Sequence, residues 1–106
     1  MNARLQQIRA LLADSPDDAF LLYALATEWV QTGELEEAAA AFADLRARHP
    51  DYVGLYYHYG ATLLKLERRA EADAVFAEGI ARARAAKDRH ALAELQNIRL
   101  NASLEL

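Results

Sequence analysis

The stretch that decides the fold runs from Asp17 to Pro50 and reads DDAFLLYALATEWVQTGELEEAAAAFADLRARHP. Its pattern returns once, 34 residues later, beginning at Asp51. Six of the seven positions that define it keep a core-sized or small residue, and only the final proline changes its character, to Arg84. A period of this length is typical of proteins that stack helical pairs. The seven positions hold Leu22, Leu25, Ala26, Trp29, Ala38, Phe42 and Pro50 in the first copy, and Tyr56, Tyr59, Gly60, Leu63, Ala72, Phe76 and Arg84 in the second.

Apolar residues recur every three to four positions through most of the chain, which predicts an all-α protein of about six helices. We expect a first helix over residues 2–13, repeat one over 17–50, repeat two over 51–86 and a last helix over 89–102. Pro16 follows the first helix and lies 34 residues before Pro50, which follows the second helix of repeat one. The first helix is therefore interpreted as the second half of a preceding repeat, a half-repeat that closes one end of the stack. The last helix carries polar residues on its other faces, as a capping helix requires.

The turns of the two repeats differ. Gly33 is predicted to end a helix in the left-handed conformation that glycine adopts most readily. Glu67 stands at the equivalent position, so repeat two needs a non-glycine residue in that conformation, at about 1 kcal/mol. Arg84 replaces the proline, and the helix is therefore expected to continue to Ala86, with a turn at 87–88. These departures indicate that the stack ends after repeat two.

Composition and charge exclude several function classes. The chain has 106 residues and a formal net charge of -4, which argues against nucleic acid as a partner because phosphate binding needs a basic face. It contains no cysteine, so disulfides and thiolate chemistry are excluded. No apolar run approaches the ~20 residues of a membrane span, and the first residues do not resemble a signal peptide. A cytoplasmic protein that does not interact with membranes is the expectation.

No residues form a pattern typical of catalysis. His49, His58 and His90 lack the spacing of metal ligands. Ser15 and Ser103 have no neighbouring base and no nucleophile motif, and no glycine-rich phosphate loop is present. We therefore predict a protein that is not an enzyme and that binds no metal or cofactor.

The repeated pattern resembles the tetratricopeptide repeat, in which two antiparallel helices recur every 34 residues. The resemblance covers residues 17–86 directly, and the terminal helices fit as caps. It implies a short right-handed α-solenoid of stacked helix-turn-helix units. The residue sizes suit such packing: small residues such as Ala26 and Gly60 let the paired helices touch, and Phe42 and Phe76 fill the gap behind them.

The resemblance also implies a function, namely binding a peptide or protein segment in the concave groove that the first helices of the repeats line. The family's clamp for a terminal carboxylate is absent, because Tyr23, Thr27 and His58 take its positions. What remains is an aromatic, weakly basic groove. The residues expected to bind there are Phe20, Tyr23, Thr27, Gln31, Tyr57, His58 and Lys65.

Two alternatives stay open. The groove aromatics could instead belong to the core, covered by the capping helices. The protein could also be a structural module that associates with itself, as a homodimer through the groove or an end face, because two repeats make a short stack and three are usually needed for stability.

Overall fold

The computed structural model describes residues 2–105, which form six α-helices and no strand. The predicted all-α fold is therefore confirmed. The last helix continues two residues beyond the predicted end at Ala102, to Leu104, and the amide of Glu105 still donates to the Ala102 carbonyl oxygen. The helices are α1 (Ala3–Asp14), α2 (Ala19–Gln31), α3 (Leu35–Arg48), α4 (Gly54–Lys65), α5 (Arg69–Ala86) and α6 (Arg89–Leu104).

Each helix packs against the next one in the chain, as in a solenoid of helical pairs. Beyond these neighbours, α2 contacts α4 and α4 contacts α6. The even-numbered helices therefore lie side by side and form one face of the molecule. This face is the groove side on which the candidate site lies.

The core follows the repeated positions. Phe42 and Phe76, one period apart, are both completely buried. Phe42 stacks on Tyr59 of the following repeat, with ring centroids 5.9 Å apart, and meets the edge of Tyr23 at 6.5 Å. A single phenylalanine thus joins its own repeat to the next, and the core is continuous from α2 to α6.

Two glycines set the distance between α4 and α5. A Cβ atom on Gly60 would lie 2.1 Å from the Phe76 ring, and one on Gly79 would lie 2.5 Å from Cβ of Tyr56. Real Cβ atoms essentially never approach other atoms so closely. The expectation that a small residue at position 60 lets the helices touch therefore has a direct geometric reason.

Tyr56 connects this helix pair to the turn before it. Its side chain is completely buried, and its hydroxyl donates to the carbonyl oxygen of Pro50 and lies 3.2 Å from Oε2 of Glu78. Burial raises the pKa of Tyr56 to about 12, so the hydroxyl keeps its proton. Glu78 also accepts a hydrogen bond of 2.7 Å from Nε of Arg46 in α3. Tyr56 therefore links the turn at Pro50 to α5 directly and to α3 through Glu78.

Three helices end in the same left-handed turn. Gly33 has φ +80°, and Glu67 and Lys87 have φ +60° and +58°. Each is bracketed by the pair of backbone hydrogen bonds of a Schellman motif; for Glu67 these are Glu67 N to Leu64 O at 3.0 Å and Arg68 N to Leu63 O at 2.9 Å. The predicted left-handed conformation of Gly33 and Glu67 is confirmed. The left-handed conformation of Lys87 was not predicted, because no glycine in the sequence marks that turn.

Replacing Glu67 by glycine is expected to raise the free energy of unfolding by about 0.5–1 kcal/mol. Glycine adopts the left-handed conformation without strain, which stabilises the folded state, but its greater conformational freedom in the unfolded chain offsets part of this gain. The reverse change, Gly33→Ala, is expected to lower it by about 1 kcal/mol. No atom lies within 4 Å of a Cβ at Gly33, so this control isolates the backbone effect. Urea unfolding measures both, and a loss of stability in Glu67→Gly would contradict the strain argument.

Candidate functional site

A cleft of about 300 Å³ opens where α2, α4 and α6 meet. Its walls come from all three helices and from the end of the loop before α4. The residues that line it are Tyr23, Val53, Gly54, Tyr57, His58, Ala91, Glu94 and Leu95.

The position of Tyr57 and His58 follows from the buried stripe of α4. Leu55, Tyr56 and Gly60 are buried on the side that packs against other helices. Residues 57 and 58 lie off that stripe by about 100° per residue, so their side chains point to the groove side. Packing of the core therefore determines which residues of α4 face the cleft.

His58 lies between two tyrosines. Its ring centroid is 5.8 Å from that of Tyr23 and 5.4 Å from that of Tyr57, both in edge-on geometry, which aromatic pairs favour. Tyr23 also contacts Tyr52 at 5.3 Å and the core residue Phe42. Tyr23 and Tyr57 are half-buried and His58 is more exposed than either, so the cluster lies partly on the core and partly at the surface.

The electrostatics of the cleft differ from the weakly basic groove that the sequence predicts. Partial burial lowers the pKa of His58, and the nearby Glu94 carboxylate raises it, with burial the larger effect. Burial also raises the pKa of Tyr23 and of Tyr52. At neutral pH the His58 imidazole and the hydroxyls of Tyr23 and Tyr52 are uncharged. Among the described lining residues, Glu94 is the one acidic side chain, and there is no lysine or arginine.

The structure brings Tyr23, Tyr57 and His58 together but leaves the other four predicted residues outside the cleft. Phe20 lies in the first turn of α2 with 64% of its surface exposed. Thr27 donates its hydroxyl to the Ala24 carbonyl oxygen at 3.1 Å, within its own helix. The two remaining residues are the last residues of α2 and α4, namely Gln31 and Lys65.

Sequence reasoning missed the contribution of α6 and of the loop before α4. Ala91, Glu94 and Leu95 line the cleft because α6 takes the place of the first helix of a third repeat. Its apolar stripe lies about two residues later than a strict 34-residue period predicts, so the sequence pattern does not identify α6 as the equivalent of α2 and α4. Tyr52 and Val53 lie in an irregular loop, where periodicity carries no signal.

Residues 2–105 contain no group of three or more histidine, cysteine, aspartate or glutamate side chains that could hold a metal ion. Within the same range, none of the helices combines the length and the apolar character that crossing a membrane requires. What the cleft offers a ligand is aromatic ring edges, tyrosine hydroxyls, a neutral imidazole and one carboxylate. Such groups can hold an apolar or aromatic side chain and a neighbouring positive charge.

Nuclear magnetic resonance titration is expected to place the pKa of His58 below 6.5, with a further decrease in Glu94→Gln because the opposing carboxylate is removed. The folded state favours neutral His58, so its contribution to stability is present above pH 6.5 and is lost as the pH falls below it. Glu37→Gln, which removes a carboxylate from the start of α3, is the control and should leave the His58 titration unchanged. A pKa of His58 above 6.5, or equal values in the two variants, would overturn this description of the cleft.

No family model matches the chain, and no curated protein matches it. Solved structures do: a crystal structure of a tetratricopeptide repeat domain protein from Salinibacter ruber is 38% identical, covers 84% of this chain and 99% of that chain, and has a TM-score of 0.80. A solution structure of a tetratricopeptide repeat domain protein from the same organism is also 38% identical, covers 86% and 92% of the two chains, and has a TM-score of 0.82.

A third solved structure shows the fold alone. It is a solution structure of a protein from Bordetella parapertussis that is 24% identical, covers 99% of this chain and 91% of that chain, and has a TM-score of 0.86. The family itself is shown by the Salinibacter ruber structures, whose identity to this chain extends over nearly their whole length. The predicted resemblance is confirmed: this chain belongs to the tetratricopeptide repeat domain proteins.

Proposed function

We propose that this protein binds a segment of another protein in the groove formed by α2, α4 and α6, and that it is a binding module without catalytic activity. Tetratricopeptide repeat folds generally mediate protein–protein interaction. The observation that carries the proposal is the cleft of about 300 Å³ around Tyr23, Tyr57 and His58. A concave, largely aromatic site with a few polar groups is the usual form of a binding pocket.

The cleft suits one large side chain of the partner as an anchor. The edges of Tyr57 and His58 and the apolar side chain of Leu95 provide its walls. Aromatic and apolar anchors that fill such pockets dominate the energetics of most interfaces. We infer that the partner segment contributes an aromatic or branched aliphatic residue at this point.

Glu94 adds a preference for charge. Its carboxylate lies at the α6 wall of the cleft, while the imidazole of His58 is neutral at physiological pH. A lysine or arginine next to the anchor residue of the partner would meet this carboxylate. Terminal-carboxylate recognition is disfavoured for the same reason, because no permanent positive charge lines the cleft.

The remaining predicted residues extend the groove on either side of the anchor. Phe20 is exposed at the start of α2, whereas Gln31 and Lys65 are exposed at the ends of α2 and α4. An extended or helical segment that crosses the even-numbered helices would contact both ends. In this proposal Thr27 contributes surface along the way, while its hydroxyl stays bonded within the helix.

Peptides selected from a random library displayed on phage provide the test. Tyr57→Ala is expected to weaken binding of the selected peptides at least tenfold, as truncation of a central anchor contact does. Gly54→Leu should have a similar effect by filling the cleft, since a Cβ there meets only Cε1 of Tyr52, at 3.7 Å. Leu11→Ala, at an exposed leucine of α1, is the matched control and should bind as the wild type does.

Calorimetry on the folded variants gives the affinities, and circular dichroism confirms the fold of each. If Tyr57→Ala and Gly54→Leu bind the selected peptides with wild-type affinity, the groove is not the binding site. The preference for charge is tested separately by Glu94→Gln, which should reduce the selection of peptides with a basic residue beside the anchor.

A further inference from the structure

The end of the stack formed by α5 and α6 carries two depressions on either side of one ion pair. Arg99 of α6 donates from Nε and Nη2 to the two carboxylate oxygens of Asp73, at 2.8 and 3.2 Å. The depression towards α4 measures about 270 Å³, and its surface is mainly apolar. It is lined by Leu64, Arg69, Ala70, Asp73, Phe76, Arg99, Ala102 and Ser103. We call it the end cavity.

The end cavity exists because repeat two departs from repeat one at the start of its second helix. α3 and α5 begin one period apart, so Leu35 and Ala39 correspond to Arg69 and Asp73. In repeat one, Ala39 is 6% exposed and belongs to the core. In repeat two, the charged residues Arg69 and Asp73 take the places of these two apolar residues, and the space beside them stays open.

Two leucines protrude from the C-terminal part of α6 on this end of the stack: Leu100 lines the second depression, and Leu104 lines neither of the two. Leu100 and Leu104 follow each other by one turn of α6 and expose 57% and 73% of their surface. Large apolar residues that are exposed side by side mark an interaction surface more often than isolated ones do. Leu11 of α1 is comparably exposed, at 54%, but it stands alone at the opposite end of the stack.

The rims of the two depressions carry positive charges, whereas the residue that follows α6 is negatively charged. Arg69 and Arg84 lie at the rims of the two depressions and form no ion pair with any of residues 2–105. Arg69 donates to the carbonyl oxygen of Ala102 at 3.3 Å, which holds it at the cavity mouth. The chain as a whole has a net charge of -4, so this basic rim is a local feature. Glu105, directly after Leu104, carries the opposite charge.

We propose that a second copy of this chain covers the end face. In a two-fold arrangement, Leu104 of each copy enters the end cavity of the other, and Glu105 lies opposite the partner's Arg69. Such an interface is self-complementary, because the protruding and the receiving parts lie on the same end of one chain. It leaves the groove of α2, α4 and α6 free, so this inference does not depend on the proposed function.

Few residues take part in this contact, so the interface is small and the dimer is expected to be weak. The mass in solution is therefore expected to rise from the 11.8 kDa of one chain towards twice that value between about 10 µM and 1 mM. Sedimentation equilibrium on the full chain measures this directly. A mass that stays at that of one chain up to 1 mM would overturn the proposal.

Leu104→Gln and Leu100→Gln are expected to weaken association about tenfold, because the apolar contact of the protruding leucines is lost. Leu11→Gln is the matched control: it changes an equally exposed leucine at the other end of the stack and should associate as the wild type does. Equal weakening in Leu11→Gln, or association that persists in Leu104→Gln, would show that another surface is responsible.

A charge exchange tests the pairing of Glu105 with Arg69. Arg69→Glu should weaken association about tenfold by placing like charges together, and adding Glu105→Arg should restore it to within about threefold of the wild type. No recovery in the double variant would exclude the proposed arrangement. Tyr57→Ala should leave association unchanged, and its failure to do so would move the interface to the groove.

Discussion

The close approach of Gly60 to the Phe76 ring is the contact on which the rest of the structure depends. A methyl group at position 60 would lie 2.1 Å from the ring, so the distance between α4 and α5 requires glycine there. At this distance Phe76 is completely buried, and Tyr56 packs against Gly79. The rotation of α4 about its axis is then determined, and with it the direction in which Tyr57 and His58 point.

The candidate groove is an extension of this core. Tyr23 meets Phe42 on its inner side and His58 on its outer side, so the wall of the cleft rests on the same ring that joins the two repeats. Residues supported in this way lose little conformational freedom when a ligand binds. A stack of six helices can therefore present a cleft whose walls are already supported by the core.

The sequence alone predicts the repeat architecture because packing imposes small residues at 26 and 60 and phenylalanine at 42 and 76, at a constant period. It predicts Tyr23, Tyr57 and His58 as neighbours for the same reason. It does not predict the α6 wall with Glu94, since α6 breaks the period by about two residues, nor the left-handed Lys87, which lacks a glycine signal. The end cavity depends on how charged side chains pair across helices, which periodicity does not encode.

A double-mutant cycle of Gly60→Ala and Phe76→Leu measures the central contact most directly. Gly60→Ala alone should lower the free energy of unfolding by about 1–3 kcal/mol, because the added methyl group overpacks the helix pair. In Phe76→Leu the same methyl group should be tolerated better, giving a coupling energy of about 1 kcal/mol or more. Gly54→Ala, where a Cβ has no neighbour closer than 3.7 Å, is the control. Additive effects of the two substitutions, within about 0.5 kcal/mol, would contradict the dependence of the fold on this contact.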